Sequence, residues 1–293
     1  MMHACGHDAH TAMVLGAAKV LYGMRDQLHG SVKLLFQPAE ETDGGAEPMV
    51  QAGAMENPHV DRVYGLHVMP RLPVGVVETR AGTLNASTDS VHIDVHGRAG
   101  HGAYPESSVD AIVCAAQMVT ALQTLVSRNL SPLASAVLTF GVIEGGTAQN
   151  ISCDKVALRG TLRTANSEIR AMMKQRIAAI AENIAQGMGC EAEVNIIPGY
   201  AALVNDDAEA ERVKRIAGRL LGEANVVNKA APSMGGEDFS FFSDCAPGAF
   251  FHIGCSAVDK EDPAPLHSKD FDLDENCLTV GTLMHVALAL DEE

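Results

Sequence analysis

The chain has 293 residues, with 21 basic and 37 acidic side chains and a formal net charge of −16. Hydrophobic residues make up 47% of it, which excludes a disordered chain, and the length predicts roughly two domains. The negative charge disfavours nucleic acid and anionic membrane surfaces as partners. No run reaches the about 18 apolar residues of a membrane span, and the N-terminus lacks a signal-peptide pattern. We therefore expect a soluble, cytoplasmic protein with neither nucleic-acid nor membrane partners.

Apolar spacing alternates between helical and strand periods, which predicts an α/β fold. The first part of the chain is predicted to contain a helix over 9–28, a buried strand over 31–36, a short helix near Pro48 and a strand over 60–68. Its glycine and proline positions mark the turns between these elements. The pattern is typical of alternating helices and strands in one layered domain.

The middle of the chain has a different texture. Val91, Ile93 and Val95 alternate with polar residues, which predicts a strand over 90–96 with one exposed face. The further predicted elements are a helix over 108–126, strands over 134–143 and 156–162, a helix that begins after an Asn166 N-cap, and a strand over 193–197. This β-α-β-β-α-β order is the ferredoxin-like pattern.

The last part returns to the first texture, with a helix over 207–221, a strand over 249–253 and a helix over 276–290. The sequence therefore predicts three segments: 1–85 and 199–293 form one α/β domain, and 86–198 form a compact unit inserted into it.

Seven cysteines are scattered along the chain without a Cys-x-x-Cys pair, so they do not predict a disulfide framework. Cys5 differs from the others because His3, His7 and His10 lie within five residues of it. Cys-x-His places two metal-binding groups near one centre, and a helix N-terminus there would favour the thiolate. A loop with incidental histidines remains the alternative for this cluster.

Other candidate metal ligands occur at predicted strand ends and loops. Glu40 and Glu41 follow the strand over 31–36, where one carboxylate can bind a metal while the other exchanges protons with a water; solvated loop charges are the alternative. His67 ends the next strand, and His267 lies in the loop before the last helix. The five candidate donors are Cys5, His7, Glu41, His67 and His267. Five donors exceed the three of a catalytic zinc site and suit two metals with a shared ligand.

Several motifs occur in one order from residue 2 to about residue 275: MHACGHDAHTA, FQPAEE, GLHV, GRAGHGAYPE, GGTAQN, LRGTLRT, GGEDFS and LHSKDFD. In these motifs the chain resembles the M20 metallopeptidase family. Within that family it is most similar to the amidohydrolases typified by hippurate hydrolase and the plant IAA-amino acid hydrolases.

The resemblance implies a catalytic domain with two divalent metal ions, interrupted by a lid domain that also forms a homodimer. Cys5 is then the ligand shared by both metals, and Glu40 is the general base that takes a proton from the bridging water. The remaining implied ligands are His7, Glu41, His67 and His267. Mn²⁺, Zn²⁺, Co²⁺ and Ni²⁺ all suit this donor set.

The resemblance also implies roles outside the ligand set. His101 would reach the partner subunit's site and stabilise the oxyanion, and Asn150 and Arg163 would line the region that binds the substrate carboxylate or oxyanion. Asp8, Glu237 and Asp238 would orient the ligands. The remaining histidines are interpreted as surface or structural residues: His10, His92, His96, His252 and His285.

The implied activity is hydrolysis of the amide bond of N-acyl-amino acids, with hippurate-like compounds as the expected substrates. Family members carry a further segment before MHACGHD, which leaves open a second hypothesis: a truncated, inactive paralogue that acts as a dimerising or metal-binding protein. A dipeptidase or an N-acetyl-diaminopimelate deacetylase on the same scaffold is a third.

Overall fold

The computed structural model describes residues 2–42, 44–257 and 261–291. Its helices are α1 (His7–Gly23), α2 (Ala46–Gln51), α3 (Ala111–Asn129), α4 (Ser167–Gly187), α5 (Asp207–Leu221), α6 (Ser240–Ser243) and α7 (Asn276–Leu290). Its strands are β1 (Val63–Pro73), β2 (Val77–Thr79), β3 (Gly82–Asn85), β4 (Ser87–His96), β5 (Gly100–His101), β6 (Ala136–Gly145), β7 (Ile151–Ser152), β8 (Lys155–Thr164), β9 (Glu191–Pro198), β10 (Leu203–Asn205), β11 (Val226–Asn228) and β12 (Gly248–Ser256). The α/β fold class predicted from the sequence is confirmed.

The chain forms two compact units. The larger unit contains the residues up to Leu84, then Val204–Ala231, and then the residues from Asp238 onwards. The inserted unit contains Asn85–Leu203 together with Pro232–Glu237. The sequence predicts the insertion over 86–198. It does not predict the return of 232–237 to this unit, because that segment carries no helical or strand period.

The larger unit is built on a four-stranded sheet in the order β1-β12-β2-β11. β12 runs parallel to β1 and antiparallel to β2. Met13 of α1, Phe251 of β12 and Met284 of α7 are fully buried in its core. A Cβ added to Gly281 would lie 2.2 Å from the Met13 sulfur, so α7 approaches α1 closely only because this residue is glycine.

The inserted unit is a four-stranded antiparallel sheet in the order β6-β8-β4-β9, with α3 and α4 packed in its hydrophobic core. Val91, Ile93 and Val95 are fully buried, as the alternation predicted. The Asn166 side chain accepts a hydrogen bond from the Ile169 N–H at 2.9 Å, which confirms it as the N-cap of α4. The order along the chain is β4-α3-β6-β8-α4-β9, with the short strands β5 and β7 between.

One described helix, α3, has the length and mean hydropathy of a membrane span. The sequence predicts no continuous apolar run here, because polar glutamines and threonines interrupt the apolar residues of this segment. In the structure, Cys114, Met118, Leu122 and Leu125 of α3 are fully buried in the core of the inserted unit. Burial of this kind is typical of a core helix.

Two predicted elements near the N-terminus differ from the structure. α1 begins at His7, two residues before the predicted start, and ends at Gly23, with a short 3₁₀ turn over Arg25–Gln27 after it. The predicted buried strand over 31–36 does not form; Val32, Leu34 and Phe36 are exposed. The apolar run satisfies a strand pattern, but a strand also needs a hydrogen-bonding partner, and none of the described sheets includes residues 31–36.

Candidate metal centre

The candidate site lies in the larger unit, where four separate segments of the chain meet. Cys5 and His7 flank Gly6, the N-cap of α1, whose backbone is left-handed at φ 76°. Glu40 and Glu41 follow a turn at Ala39, and His67 lies within β1. The fourth segment is the loop before α7, where the His267 N–H donates to the Ala4 carbonyl at 2.7 Å.

These segments bring the five predicted donors together; we call Cys5, His7, Glu41, His67 and His267 the five-donor cluster. The Cys5 sulfur lies 3.4 Å from His67 Nε2 and 3.1 Å from His267 Nε2. Glu41 Oε1 lies 3.1 Å from His267 Nε2 and 3.8 Å from His7 Nε2. The side chains converge although Cys5 and His267 are 262 positions apart.

Subsets of the cluster have the compactness that metal ligation requires. Potential ligand atoms lie within 4.8 Å of one another in the triad Cys5, His7 and His67 and in the triad Cys5, Glu41 and His267. Cys5 is therefore common to two triads. A thiolate, three imidazoles and a carboxylate form a donor set of the kind that binds divalent transition metals.

His67 and His7 of the cluster are in the form that binds metals. Burial lowers the pKa of His67 to about 4. Burial also lowers the pKa of His7, although the nearby Glu41 carboxylate acts in the opposite direction. Both imidazoles are thus neutral at pH 7 and keep a lone pair on one ring nitrogen.

Glu40 lies in a crowded acidic environment beside the cluster. Potential ligand atoms of Glu40 and Asp238 lie within 4.8 Å of each other, and so do those of Glu40, Glu41 and His7. Burial and the carboxylates of Glu41 and Asp238 raise the pKa of Glu40 to about 7. A carboxyl group with such a pKa can both accept and release a proton near neutral pH.

Asp238 connects the glutamate turn to the rest of the larger unit. It is fully buried, and its carboxylate accepts hydrogen bonds from Gln37 Nε2 at 2.5 Å and from the Ala46 N–H at 3.0 Å. Ala46 begins α2. Asp238 therefore fixes the chain on both sides of Glu40 and Glu41. Glu237, its neighbour, is buried and belongs to the inserted unit.

Asp8 does not take the ligand-orienting position implied for it. The side chain is exposed in the first turn of α1 and forms no hydrogen bond or ion pair with another described residue. One residue further along a helix turns the side chain by roughly 100°, so Asp8 points away from the face that carries His7. Its acidic charge favours the helix N-terminus.

Sequence reasoning overlooked His10, which was interpreted as surface or structural. His10 is partly buried, and its ring centroid lies 4.6 Å from that of His67 and 5.3 Å from that of His7. The signal was the spacing of three residues between His7 and His10, which places both on one helix face. It was missed because the helix was predicted to begin after His7.

The inserted unit carries the other three predicted residues. His101 lies on β5, is exposed, and accepts a hydrogen bond through Nδ1 from the Ala103 N–H at 3.1 Å. The Gly102 N–H donates to the Asn150 carbonyl at 2.8 Å, so His101 and Asn150 belong to one local structure. Arg163 lies on β8, where its Nε donates to the Thr161 hydroxyl at 3.2 Å.

The comparison with protein families identifies the family to which the chain belongs. The model of peptidase family M20/M25/M40 matches residues 1–291. The chain belongs to this family. This family assignment agrees with the resemblance that the sequence motifs indicate. The five-donor cluster lies in the larger unit of this M20 chain.

Among known proteins, the M20 chain is 39% identical over 292 residues to IAA-amino acid hydrolase ILR1-like 4 of Arabidopsis thaliana, covering 98% of this chain and 66% of the relative. It is 41% identical over 254 residues to N-acetyl-L-cysteine deacetylase of Bacillus subtilis, covering 87% and 60%. A solved Bacillus subtilis structure, described as a dinuclear metal-binding peptidase of the M20 family, matches with a TM-score of 0.83 and 33% identity, covering 99% and 72%. The chain thus spans about two thirds of the length of these relatives.

Proposed function

We propose that this chain is a metal-dependent hydrolase that cleaves the amide bond of an N-acyl-amino acid, with hippurate-like compounds as substrates. The convergence of the five-donor cluster beside Glu40 carries the proposal. The names of two relatives, an IAA-amino acid hydrolase and an N-acetyl-L-cysteine deacetylase, support the substrate class, because each describes an amino acid with an acylated nitrogen.

The donor set fits two divalent metal ions. Cys5 occurs in both ligand triads and is the residue that the two ions would share. His7 and His67 would complete one set of ligands, and Glu41 and His267 the other. The dinuclear Bacillus subtilis structure supports this count. When bound, two such cations lower the pKa of a water and polarise the carbonyl of the scissile amide.

Glu40 supplies the proton transfer in this proposal. Its carboxylate accepts a proton from the attacking water and then releases that proton to the nitrogen of the leaving amine. Hydrolysis adds one water across the amide and yields a carboxylic acid and a free amino acid. Asp238 holds the surrounding turn through Gln37 and Ala46, which keeps the Glu40 carboxylate in place.

Three further residues have proposed roles towards the substrate. The Arg163 guanidinium has the planar fork that binds a carboxylate in bidentate fashion, and it would hold the carboxylate of the amino-acid product. We assign Asn150 to the same region. His101 would donate a hydrogen bond to the oxyanion of the tetrahedral intermediate formed in the partner subunit's site.

A homodimer formed by the inserted unit follows from this role of His101. β6 is an edge strand of its sheet, and it exposes the apolar side chains of Val137, Val142 and Ile143. Exposed apolar edge strands favour pairing with a second chain. Light scattering should give the mass of two chains; the mass of one chain would contradict this part of the proposal.

A substrate panel tests the activity. The chain is loaded in turn with Mn²⁺, Zn²⁺, Co²⁺ and Ni²⁺ and assayed with hippurate, N-acetyl-amino acids, N-acetyl-diaminopimelate and a dipeptide. We expect release of free amino acid from hippurate and the N-acyl-amino acids, and no release after treatment with a chelator. A folded, metal-loaded chain that hydrolyses none of them would favour the inactive, metal-binding alternative. Cleavage of the dipeptide or the diaminopimelate compound alone would favour the corresponding subtype.

A further inference from the structure

Two imidazoles contact the backbone N–H and C=O of Val68. β1 lies at the edge of its sheet, with β12 on one side. The N–H and C=O of one strand residue point to the same side. The Val68 N–H donates to His10 Nε2 at 3.0 Å, and the Val68 carbonyl lies 2.6 Å from His67 Nδ1. Both backbone polar groups of Val68 therefore contact a histidine.

These contacts assign the tautomers of both rings. A backbone N–H can only donate, so His10 Nε2 is an acceptor and the proton of this neutral ring is on Nδ1. A carbonyl can only accept, so His67 Nδ1 carries a proton. The lone pair of His67 is then on Nε2, the nitrogen that lies 3.4 Å from the Cys5 sulfur.

Packing also holds Val68 from the side of α1. The His10 ring contacts the His67 ring edge to face, with 4.6 Å between centroids and 65° between planes. A Cβ added to Gly6 would lie 2.5 Å from Val68 Cγ2, so the N-terminus of α1 also lies directly against Val68. Because Gly6 separates Cys5 from His7, a shift of the Val68 backbone would displace His67 relative to both residues.

We propose that His10 is a positioning residue for the metal centre: it accepts the Val68 N–H and fixes the backbone of the residue whose carbonyl orients His67 Nε2 towards Cys5. This inference rests on the proposed metal-dependent function. The residue acts through Val68 and His67 and needs no contact with substrate. Partners of this kind typically change metal affinity by about 10- to 100-fold when they are removed.

Three substitutions of His10 separate the hydrogen bond from the packing. His10→Phe keeps an aromatic ring and removes the acceptor. His10→Asn has an acceptor that is too short to reach, whereas His10→Gln places an amide oxygen near the position of Nε2. His59→Phe serves as the control, because His59 is an exposed histidine whose imidazole pairs with Glu56. The thermal unfolding of each metal-free chain shows whether the variant folds.

The experiment measures Co²⁺ binding to the full chain by optical titration. It monitors the absorption band from the Cys5 thiolate and the visible bands that report coordination geometry. We expect His10→Phe and His10→Asn to weaken Co²⁺ binding by about 10- to 100-fold and to alter the visible bands, while His10→Gln and His59→Phe retain the parent values. If His10→Phe does not fold, the comparison of His10→Asn with His10→Gln tests the role of the hydrogen bond.

Two results would overturn the inference. The first is parent-like affinity and spectrum in the folded variants that lack the acceptor. The second is an equal loss in His10→Gln, which would show that the ring itself matters and not its hydrogen bond to Val68. A parent chain that binds no Co²⁺ contradicts the proposed function as well, so the parent titration separates failure of the function from failure of this inference.

Discussion

Ala39 adopts a left-handed backbone with φ 61° directly before the two glutamates. The turn is closed by hydrogen bonds from the Thr42 and Gly44 N–H groups to the Ala39 carbonyl, at 3.2 and 3.0 Å. For a residue with a Cβ this conformation costs roughly 1–2 kcal/mol. The surrounding hydrogen bonds hold it in place, and the result is that Glu40 and Glu41 follow a sharply reversed chain.

We therefore expect Ala39→Gly to raise the free energy of unfolding by about 1 kcal/mol, since glycine adopts a positive φ without the Cβ clash. Ala12→Gly is the matched control, because Ala12 is exposed within α1; it should lower the same quantity by about 1 kcal/mol. Urea unfolding measures both. A loss of stability in both variants would contradict strain at Ala39.

The proposed roles of Cys5 and Glu40 predict different defects. Cys5→Ser removes the donor common to both triads, so the purified chain should contain less metal. Glu40→Gln keeps the shape of the side chain but cannot carry the proton; its metal content should equal that of the parent while kcat falls by about 10²–10⁴-fold. Elemental analysis and hydrolysis assays distinguish the two. Loss of metal from both variants would show that Glu40 is a ligand.

At the scale of elements, Glu78 of β2 connects three other segments of the larger unit. Its buried carboxylate contacts Arg71 of β1, His252 of β12 at 2.9 Å and Lys229 after β11 at 3.4 Å. Burial alone would raise the pKa of Glu78, but the hydrogen bonds from His252 and Arg71 and the charge of Lys229 outweigh it and hold that pKa well below its usual range.

A lowered pKa stabilises the fold at any pH above the ordinary Glu range, and the stabilisation declines as the pH falls towards the folded-state pKa. We expect Glu78→Gln to reduce the free energy of unfolding by about 2 kcal/mol at pH 7. The difference from the parent should shrink steadily below about pH 4.5. Urea unfolding between pH 7 and pH 3 provides the measurement. A difference that is constant with pH would show that the Glu78 charge is not responsible.

Elements with their own local signals were predictable from the sequence. The bounds of α5 and α7 agree with the prediction, and α5 is capped by Asp206, whose carboxylate accepts from the Ala208 and Glu209 N–H groups. The five donors were predictable as a set because each belongs to a distinctive motif. What could not be predicted was the exposed state of 31–36, because strand formation depends on which partner strand is available.

The contact between His10 and Val68 was also unpredictable from the sequence, because it too depends on which groups tertiary folding brings together. His10 acts on His67 through the backbone of Val68, and no sequence pattern shows which carbonyl or N–H a histidine will contact. The earlier start of α1 was likewise set by its surroundings: Gly6 takes the left-handed N-cap position against Val68. Tertiary packing determined both features.

For the whole molecule, all five donors lie in the larger unit, and the two units have separate hydrophobic cores. Metal that binds only the folded state stabilises it by about 2.7 kcal/mol at a concentration of 100 times Kd. We expect added metal to slow hydrogen exchange in α1 and β1 and to leave α3 and α4 unchanged. Cys5→Ser should abolish the effect. Equal protection of both units would contradict a metal centre confined to the larger one.

The separation of Cys5 from His267 by 262 positions has a consequence for synthesis of the chain. At about 5–20 residues per second, the last donor leaves the ribosome roughly 15–50 seconds after the first. The inserted unit, which needs no residue after Glu237, can fold during that interval. The Cys5 thiol is without His267 during this interval, so the inserted unit can fold before the metal centre assembles.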